Sequence, residues 1–205
     1  MNRMAEIRPR GDPVHRFDPD QLERLLNPER RQGQDPEAIL DALGLQPGMV
    51  AADIGSGPGF FTLPMANRVG PSGKVFAIDV EPRMIERLLE RSAEGGVGNI
   101  EALLSLGGSL SLPDGGIDAA LMVNVLHELE DRGSILRQVA NALRPGGVLA
   151  VVEWKKERTE SGPPSQIRLG PTELEVLLGE AGYKAVTPFD VGPHHYGLRA
   201  GKPGR

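Results

Sequence analysis

"AADIGSGPGFF", Ala51 to Phe61, is the stretch that decides how this chain is read. A hydrophobic run ends in an acid, Asp53, and three glycines follow at alternate positions, Gly55, Gly57 and Gly59. Glycine loops of this kind leave a strand, open a helix and approach a nucleotide closely. A dinucleotide site has the fingerprint G-x-G-x-x-G, whose third glycine lets the helix pack on the strand. Here the third glycine comes one step early, and Phe60 follows it. Asp53 also lies near the space a pyrophosphate would need, and two anions close together are unfavourable unless a cation intervenes. A ligand with an ammonium group and no phosphate suits this loop better.

Working outward, strands alternate with helices. "MVAADI" is a strand feeding the loop, and "FFTLPMANRV" is a helix with Pro64 near its first turn. "KVFAIDV" is a second strand. "EPRMIERLLERS" is a helix with Met84, Ile85, Leu88 and Leu89 inward. "NIEALLS" and "GIDAALMVNVL" are further strands, the latter entering at Asp118. "RGSILRQVANAL" is a helix, "RPGG" a turn and "VLAVVEW" a fifth strand. "PTELEVLLGEAG" reads as a helix with Thr172 and Glu175 as a capping box and Gly182 as its stop. "YKAVTPFDV" and "HHYGLRAGK" are two last strands joined by a short "GP" connection, so they pair antiparallel. Upstream, "DPEAILDALGL" is a helix capped by Asp35 and ended by Gly44, and "DPDQLERLLNPERR" is a shorter one that stops before Pro28. The alternation implies an α/β fold, a doubly wound sheet covered on both faces, mainly parallel with its last strand antiparallel. Residues 1–34 form an N-terminal arm and helical cap, acting as a lid on residues 35–205 within one domain.

A second acid, Asp79, ends the strand "FAID". A carboxylate there can accept both hydroxyls of an adenosyl ribose, a grip that fits NAD equally, so the loop and not Asp79 discriminates. S-adenosyl-L-methionine has an ammonium and a sulfonium and no phosphate. "ADIGSGPG", "VFAIDVEPRMIE", "LPDGGIDAALMVNVLHEL" and "LRPGGVLAVVEW", in this order, resemble the class I S-adenosylmethionine-dependent methyltransferases over residues 35–200. The likeness is to the small bacterial type 11 group, which includes quinone, lipid and arsenite methylators. The resemblance implies a Rossmann-like methyltransferase fold of seven strands. It implies a cofactor cradle at Gly55, Ser56, Gly57 and Gly59, with Asp53 at its base towards the ammonium. It gives the ribose to Asp79 and the adenine to Val80. Many relatives have an acid after the third strand, whereas this chain has "LSLGGSL", so backbone at Leu106 and Gly107 serves the adenine instead. Asn124 falls where relatives line the cofactor pocket.

The acceptor side is read at the ends of the fourth and fifth strands, the edge where open α/β sheets bind ligands. His127 and Glu128 form a candidate base or positioning pair, against the plain reading of a loop histidine closing a turn. Glu153 orients an acceptor, serves as a base, or forms a salt bridge to Lys155, Lys156 or Arg158. Trp154 walls the pocket or covers the sheet edge. His15, His194 and His195 could join His127 and Glu153 in a metal or proton-transfer cluster, with Tyr196 closing the pocket. No fixed short spacing supports that cluster, so no metal site is assigned.

The chain has 205 residues and no cysteine, which excludes disulfides, thiolate metal sites and a thiol nucleophile, and argues against arsenite as acceptor. Net charge is -5, which gives no general pull towards nucleic acid. No apolar run reaches the length of a bilayer span, and the N-terminus lacks a secretory core. The resulting expectation is a cytoplasmic enzyme, monomer or homodimer, that methylates a small molecule. The alternatives are an RNA methyltransferase, a non-catalytic S-adenosylmethionine-binding module and an NAD-linked oxidoreductase.

Overall fold

The computed structural model describes residues 19–106, 108–159 and 162–204. Seven strands form one sheet: β1 (Val50–Ile54), β2 (Lys74–Asp79), β3 (Ile100–Leu104), β4 (Ile117–Val123), β5 (Leu143–Trp154), β6 (Lys184–Phe189) and β7 (His195–Gly201). Their order across the sheet is β3-β2-β1-β4-β5-β7-β6. The first five run parallel, and β7 lies antiparallel to both β5 and β6. The chain moves outward from β1 to β3, then returns to place β4 on the other side of β1. That reversal opens a crevice beyond the C-terminal ends of β1 and β4, where such sheets bind ligands.

Both faces of the central strands are buried, as parallel pairing requires. On one face Ala51, Val75, Ala119, Leu121, Ala150 and Val152 pack against α2 (Pro36–Leu43) and α3 (Thr62–Val69). On the other, Ile54, Ile78, Ala120, Met122 and Val151 pack against α5 (Arg132–Ala142) and α6 (Pro171–Glu180). Each fully buried Leu or Ile contributes roughly 1.5–3 kcal/mol, so this double-sided core is the main source of stability. α4 (Pro82–Glu94) lies against β2 and β3 through Met84 and Leu88.

Local chemistry sets most of the boundaries. The Asp35 side chain accepts the Glu37 N–H, Pro36 fills the first turn of α2, and Gly44 ends it in the left-handed region. The structure corrects four details of the sequence reading. Leu89 is 48% exposed rather than inward, because the stripe of α4 that meets the sheet is only as wide as Met84 and Leu88. The Glu173 carboxylate, not Glu175, reaches back, accepting the Gly170 N–H at 2.7 Å, because α6 begins at Pro171. "RPGG" belongs to β5, whose register against β4 jumps between the pairs Ile117↔Leu143 and Ala119↔Val148. The first helix shrinks to α1 (Leu22–Leu25), followed by a 3-10 turn Pro28–Gln32 capped by Asn27.

Candidate active site

The glycine loop leaves β1 at the sheet reversal. Gly55 and Ser56 donate their N–H groups to the Ile78 carbonyl at 2.8 and 2.9 Å, which ties the loop to β2. Gly55, Gly57 and Gly59 all have positive φ, at 71°, 52° and 84°. A Cβ on Gly55 would stand 2.3 Å from Cγ2 of Val125, just past β4, so the closeness of the two loops excludes any side chain there. A Cβ on Gly59 would meet Leu63 of α3 at 2.7 Å and Leu88 of α4 at 3.1 Å. A Cβ on Gly57 would touch Leu25 of α1, which places the N-terminal segment directly over the loop.

Two carboxylates flank the loop. Asp53 is buried at the end of β1 and accepts the hydroxyl of Thr62, the first residue of α3, at 2.6 Å. Burial pushes its carboxyl up to about 7; the Thr62 hydrogen bond opposes this, the Asp79 charge adds to it, and the Arg30 charge opposes it. Asp79 ends β2 and accepts the Gly57 N–H at 2.8 Å and the Glu81 N–H at 3.0 Å. Burial raises its carboxyl, and those backbone donors work against the rise. Asp79 thus links the glycine loop to the turn before α4, while Glu81 is the residue that caps the helix.

Opposite the loop, β4 and β5 end side by side. Asn124 follows β4 with φ 60°, and a 3-10 turn over Leu126–Glu128 comes next. Glu153 is fully buried on β5. Its Oε1 accepts the Leu126 N–H at 2.8 Å, and its Oε2 lies 2.7 Å from Nδ1 of His127. The sequence left open a salt bridge from Glu153 to a nearby lysine or arginine; the partner is His127 instead. Burial works to lower the His127 pKa, but the Glu153 hydrogen bond and charge outweigh it and raise the imidazole above its ordinary value. Glu128 lies on the other side of the ring, 3.9 Å from Nε2.

One cavity of about 970 Å³ lies between the loop and these strand ends, lined among others by Gly55, Ser56, Gly57, Asp79, Val80, Asn124, His127, Glu128, Trp154, His194 and His195, whereas Asp53, Gly59 and Glu153 are not among its lining residues. Leu106 is 72% exposed and lies off the cavity wall, where Ser105 and Gly108 stand instead. Gly107 and His15 lie outside the described residues. Tyr196 does not close the pocket: it is buried, and its hydroxyl donates to the Leu169 carbonyl. Among the described residues no cluster of histidine and acidic side chains is arranged to hold a metal ion.

Residues 19–34 supply side chains that sequence reasoning missed. Arg30 lies over the rings of Phe60 and Phe61, with its guanidinium carbon 4.6 and 5.3 Å from their centroids. Burial lowers its pKa to about 10, and the Asp53 charge opposes that. Its Nε donates to Oε1 of Gln34 at 2.7 Å, and Nε2 of Gln34 is 2.6 Å from Nε2 of His195 on β7. No short-range spacing announces this chain of contacts, since Gln34 and His195 are 161 residues apart.

The donor set also fits a polar ligand. Ser56 Oγ and Asn124 Oδ1 are buried without a hydrogen-bond partner among the described residues, and both residues line the cavity. A buried polar group left unpaired costs roughly 1–3 kcal/mol, and a ligand with hydroxyl and amine groups relieves that cost. This sheet order, a glycine loop after β1 and an acid ending β2 define a class I S-adenosylmethionine-dependent methyltransferase, with S-adenosyl-L-methionine as the cofactor of the class. The family described as "Methyltransferase domain" matches residues 45–186, and the chain belongs to that family.

Known proteins agree with this. A crystal structure described as a SAM dependent methyltransferase from Aquifex aeolicus is 34% identical, with a TM-score of 0.86 over 91% of this chain and all of that one. An arsenite methyltransferase of Halobacterium salinarum is 28% identical over 69% of this chain and 39% of its own length. A ubiquinone/menaquinone biosynthesis C-methyltransferase UbiE of Hahella chejuensis is 33% identical over 57% of this chain and 47% of its own. The matched region is thus less than half the length of these two curated relatives.

Proposed function

We propose that the chain transfers a methyl group from S-adenosyl-L-methionine to a small-molecule acceptor. The observation that carries this is one cavity with the glycine loop and Asp79 on one side and His127, held from behind by Glu153, on the other. In this reading Gly55, Ser56, Gly57 and Gly59 cradle the methionine end, and Asp53 faces its ammonium. Asp79 accepts the ribose hydroxyls, Val80 packs on the adenine, and Asn124 pairs with a polar group of the cofactor. Backbone at Ser105 and Gly108, which line the cavity where Leu106 does not, completes the adenine side. When bound, the cofactor supplies a methyl on a sulfonium that is already a good leaving group. The protein's share is to align the acceptor and exclude water.

A base is required only if the acceptor gives up a proton. His127 suits that role. Glu153 holds Nδ1–H, which leaves Nε2 to take the proton, with Glu128 beside it. Glu153 is a positioning residue here, since its own oxygens are engaged by His127 and the Leu126 N–H. Trp154 forms part of the acceptor wall, and the cap over residues 19–34 shields it. Arsenite is a poor candidate acceptor, since trivalent arsenic is held by thiolates and the sequence has no cysteine. Cytoplasmic residence, a monomeric or dimeric state and the lack of a nucleic-acid partner belong to the same proposal and rest on the sequence reading.

Calorimetric titration with S-adenosylmethionine, S-adenosylhomocysteine and NADH, on the wild type and on Asp79→Ala, tests the proposal. Micromolar binding of the first two, lost in the variant, is the expected result. Preference for NADH overturns the cofactor assignment. Retention on RNA with a steep salt dependence overturns the small-molecule acceptor.

A further inference from the structure

The cavity holds a second histidine whose protonation state the hydrogen-bond chain dictates. Arg30 Nε–H can only donate, so the group of Gln34 facing it is the carbonyl oxygen. The other end of that amide is then its NH₂, which can only donate, and it faces Nε2 of His195 at 2.6 Å. Nε2 therefore accepts and carries no hydrogen. A neutral imidazole with a bare Nε2 must carry its hydrogen on Nδ1. Nδ1 of His195 is buried with no partner among the described residues, and the residue lines the cavity. Burial first, then the positive charges of Arg30, His194, Arg168 and Lys155, push this ring down to about 3, which agrees with a neutral imidazole. The Trp154 ring lies 4.1 Å from it between centroids, with Gly162 packed against the indole so closely that a Cβ would stand 2.9 Å away. The ring is therefore held in place as well as in one tautomer.

We propose that His195, locked as the Nδ1–H tautomer by Arg30 through Gln34, donates that hydrogen to an oxygen of the methyl acceptor. The acceptor class is thereby a compound with a carbonyl, carboxylate or phenolic oxygen, not one whose polar groups are only N–H donors. Naming that compound as the methyl acceptor rests on the methyltransferase reading. His127 and His195, two of the three histidines that line the cavity, divide the work: His127 is set to take a proton, and His195 is set to give a hydrogen bond without losing one. Gln34 and Arg30 are positioning residues, and they make the N-terminal cap part of the recognition, since the tautomer is set only while Gln34, held by Arg30, stays on His195 of β7.

The test uses the full chain labelled with ¹⁵N-histidine, titrated with catechol, 2-hydroxyacetophenone and benzoate, and with toluene and benzylamine as controls, with and without S-adenosylhomocysteine. The expected spectrum at neutral pH is a His195 ring protonated at Nδ1 alone. Its Nδ1–H signal moves on addition of at least one oxygen-bearing probe and stays fixed with the controls. His195→Phe keeps a ring against Trp154 and weakens that probe by about tenfold or more, while S-adenosylhomocysteine binds as before. Gln34→Leu retains the imidazole but frees its tautomer, so the spectrum gains an Nε2–H form and the probe weakens in step. A ring protonated at Nε2 or at both nitrogens in the wild type overturns the proposal. So does a wild type that binds none of the oxygen probes at millimolar concentration, or a His195→Phe variant that binds them unchanged. A wild type that fails to bind S-adenosylhomocysteine removes the methyltransferase reading, and the histidine spectra then decide the hydrogen-bond donor on their own.

Discussion

Gly55 is the residue at which fold and site meet. Its φ of 71° and the 2.3 Å approach of Val125 exclude a Cβ on two independent grounds. Gly55→Ala is expected to lose about 2–4 kcal/mol, from left-handed strain plus overpacking, and to lower cofactor affinity with it. Urea unfolding and calorimetry on the same protein check both. Asp53 gives a pH signature. Its carboxyl is raised to about 7 in the empty protein, so folding favours its protonated form. Its contribution to stability is therefore present below the unfolded value near 4 and is lost as pH rises to about 7. A cofactor ammonium reverses the preference, so affinity is expected to climb up to tenfold per pH unit below 7 and then level off. Asp53→Asn should flatten that curve while making the empty protein more stable at pH 8 by on the order of 2 kcal/mol. An unchanged pH curve in Asp53→Asn would rule out this residue as the ammonium partner. His127 obeys the same sign at higher pH: its raised pKa gives stability that is full below about 6.5 and lost as pH rises through the folded value. As a base it works only when neutral, so the acid limb of kcat/KM is expected above 6.5. Glu153→Gln should move that limb to lower pH and lower kcat more than it changes KM, which a pH-rate profile checks.

At the scale of elements, what was legible in the sequence follows from the range of the interactions. Helix α2 was readable to the residue because Asp35, Pro36 and Gly44 act within a turn of where they stand. The central strands were readable because both of their faces are buried, and continuous apolar runs such as "VLAVV" record that directly. The glycine loop and Asp79 were readable because strand–loop–helix geometry fixes them relative to the sheet edge. The capping partner in α6 was misread by two residues and the exposed face of α4 by one stripe, since periodicity alone does not say where a neighbour stops. Arg30, Gln34 and Thr62 were not legible, because Arg30 reaches Phe60 and Phe61, Gln34 reaches His195 and Thr62 reaches Asp53, and the fold, not local spacing, places those partners. Contacts of this sort help hold residues 19–34 on the rest of the chain. Arg30→Ala removes the stacking on Phe60 and Phe61 and the hold on Gln34. The expected result is faster tryptic cleavage between residues 19 and 34 with the melting temperature of the main domain changed by less than about 2 °C. An equal loss of both would mean that residues 19–34 and the sheet unfold as one unit.

The whole molecule couples these parts through ligand linkage. A ligand that binds only the folded chain at a hundredfold excess over its dissociation constant adds about 2.7 kcal/mol. For a chain of this size that corresponds to a rise in Tm of about 5–10 °C with S-adenosylhomocysteine, readable by calorimetry, and no rise with NADH. The strand order carries a different consequence. β7 is inserted between β5 and β6, although β6 precedes it along the chain. During synthesis on the ribosome, β6 therefore emerges before the strand that will seat it, and the edge of β5 stays bare until β7 arrives. That interval exposes the row of unpaired backbone groups along Val148–Trp154, which later bonds to His195–Gly201. The nascent protein thus passes through a stage in which its cofactor loop is already framed by β1 and β2, while a foreign strand could still take the place of β7.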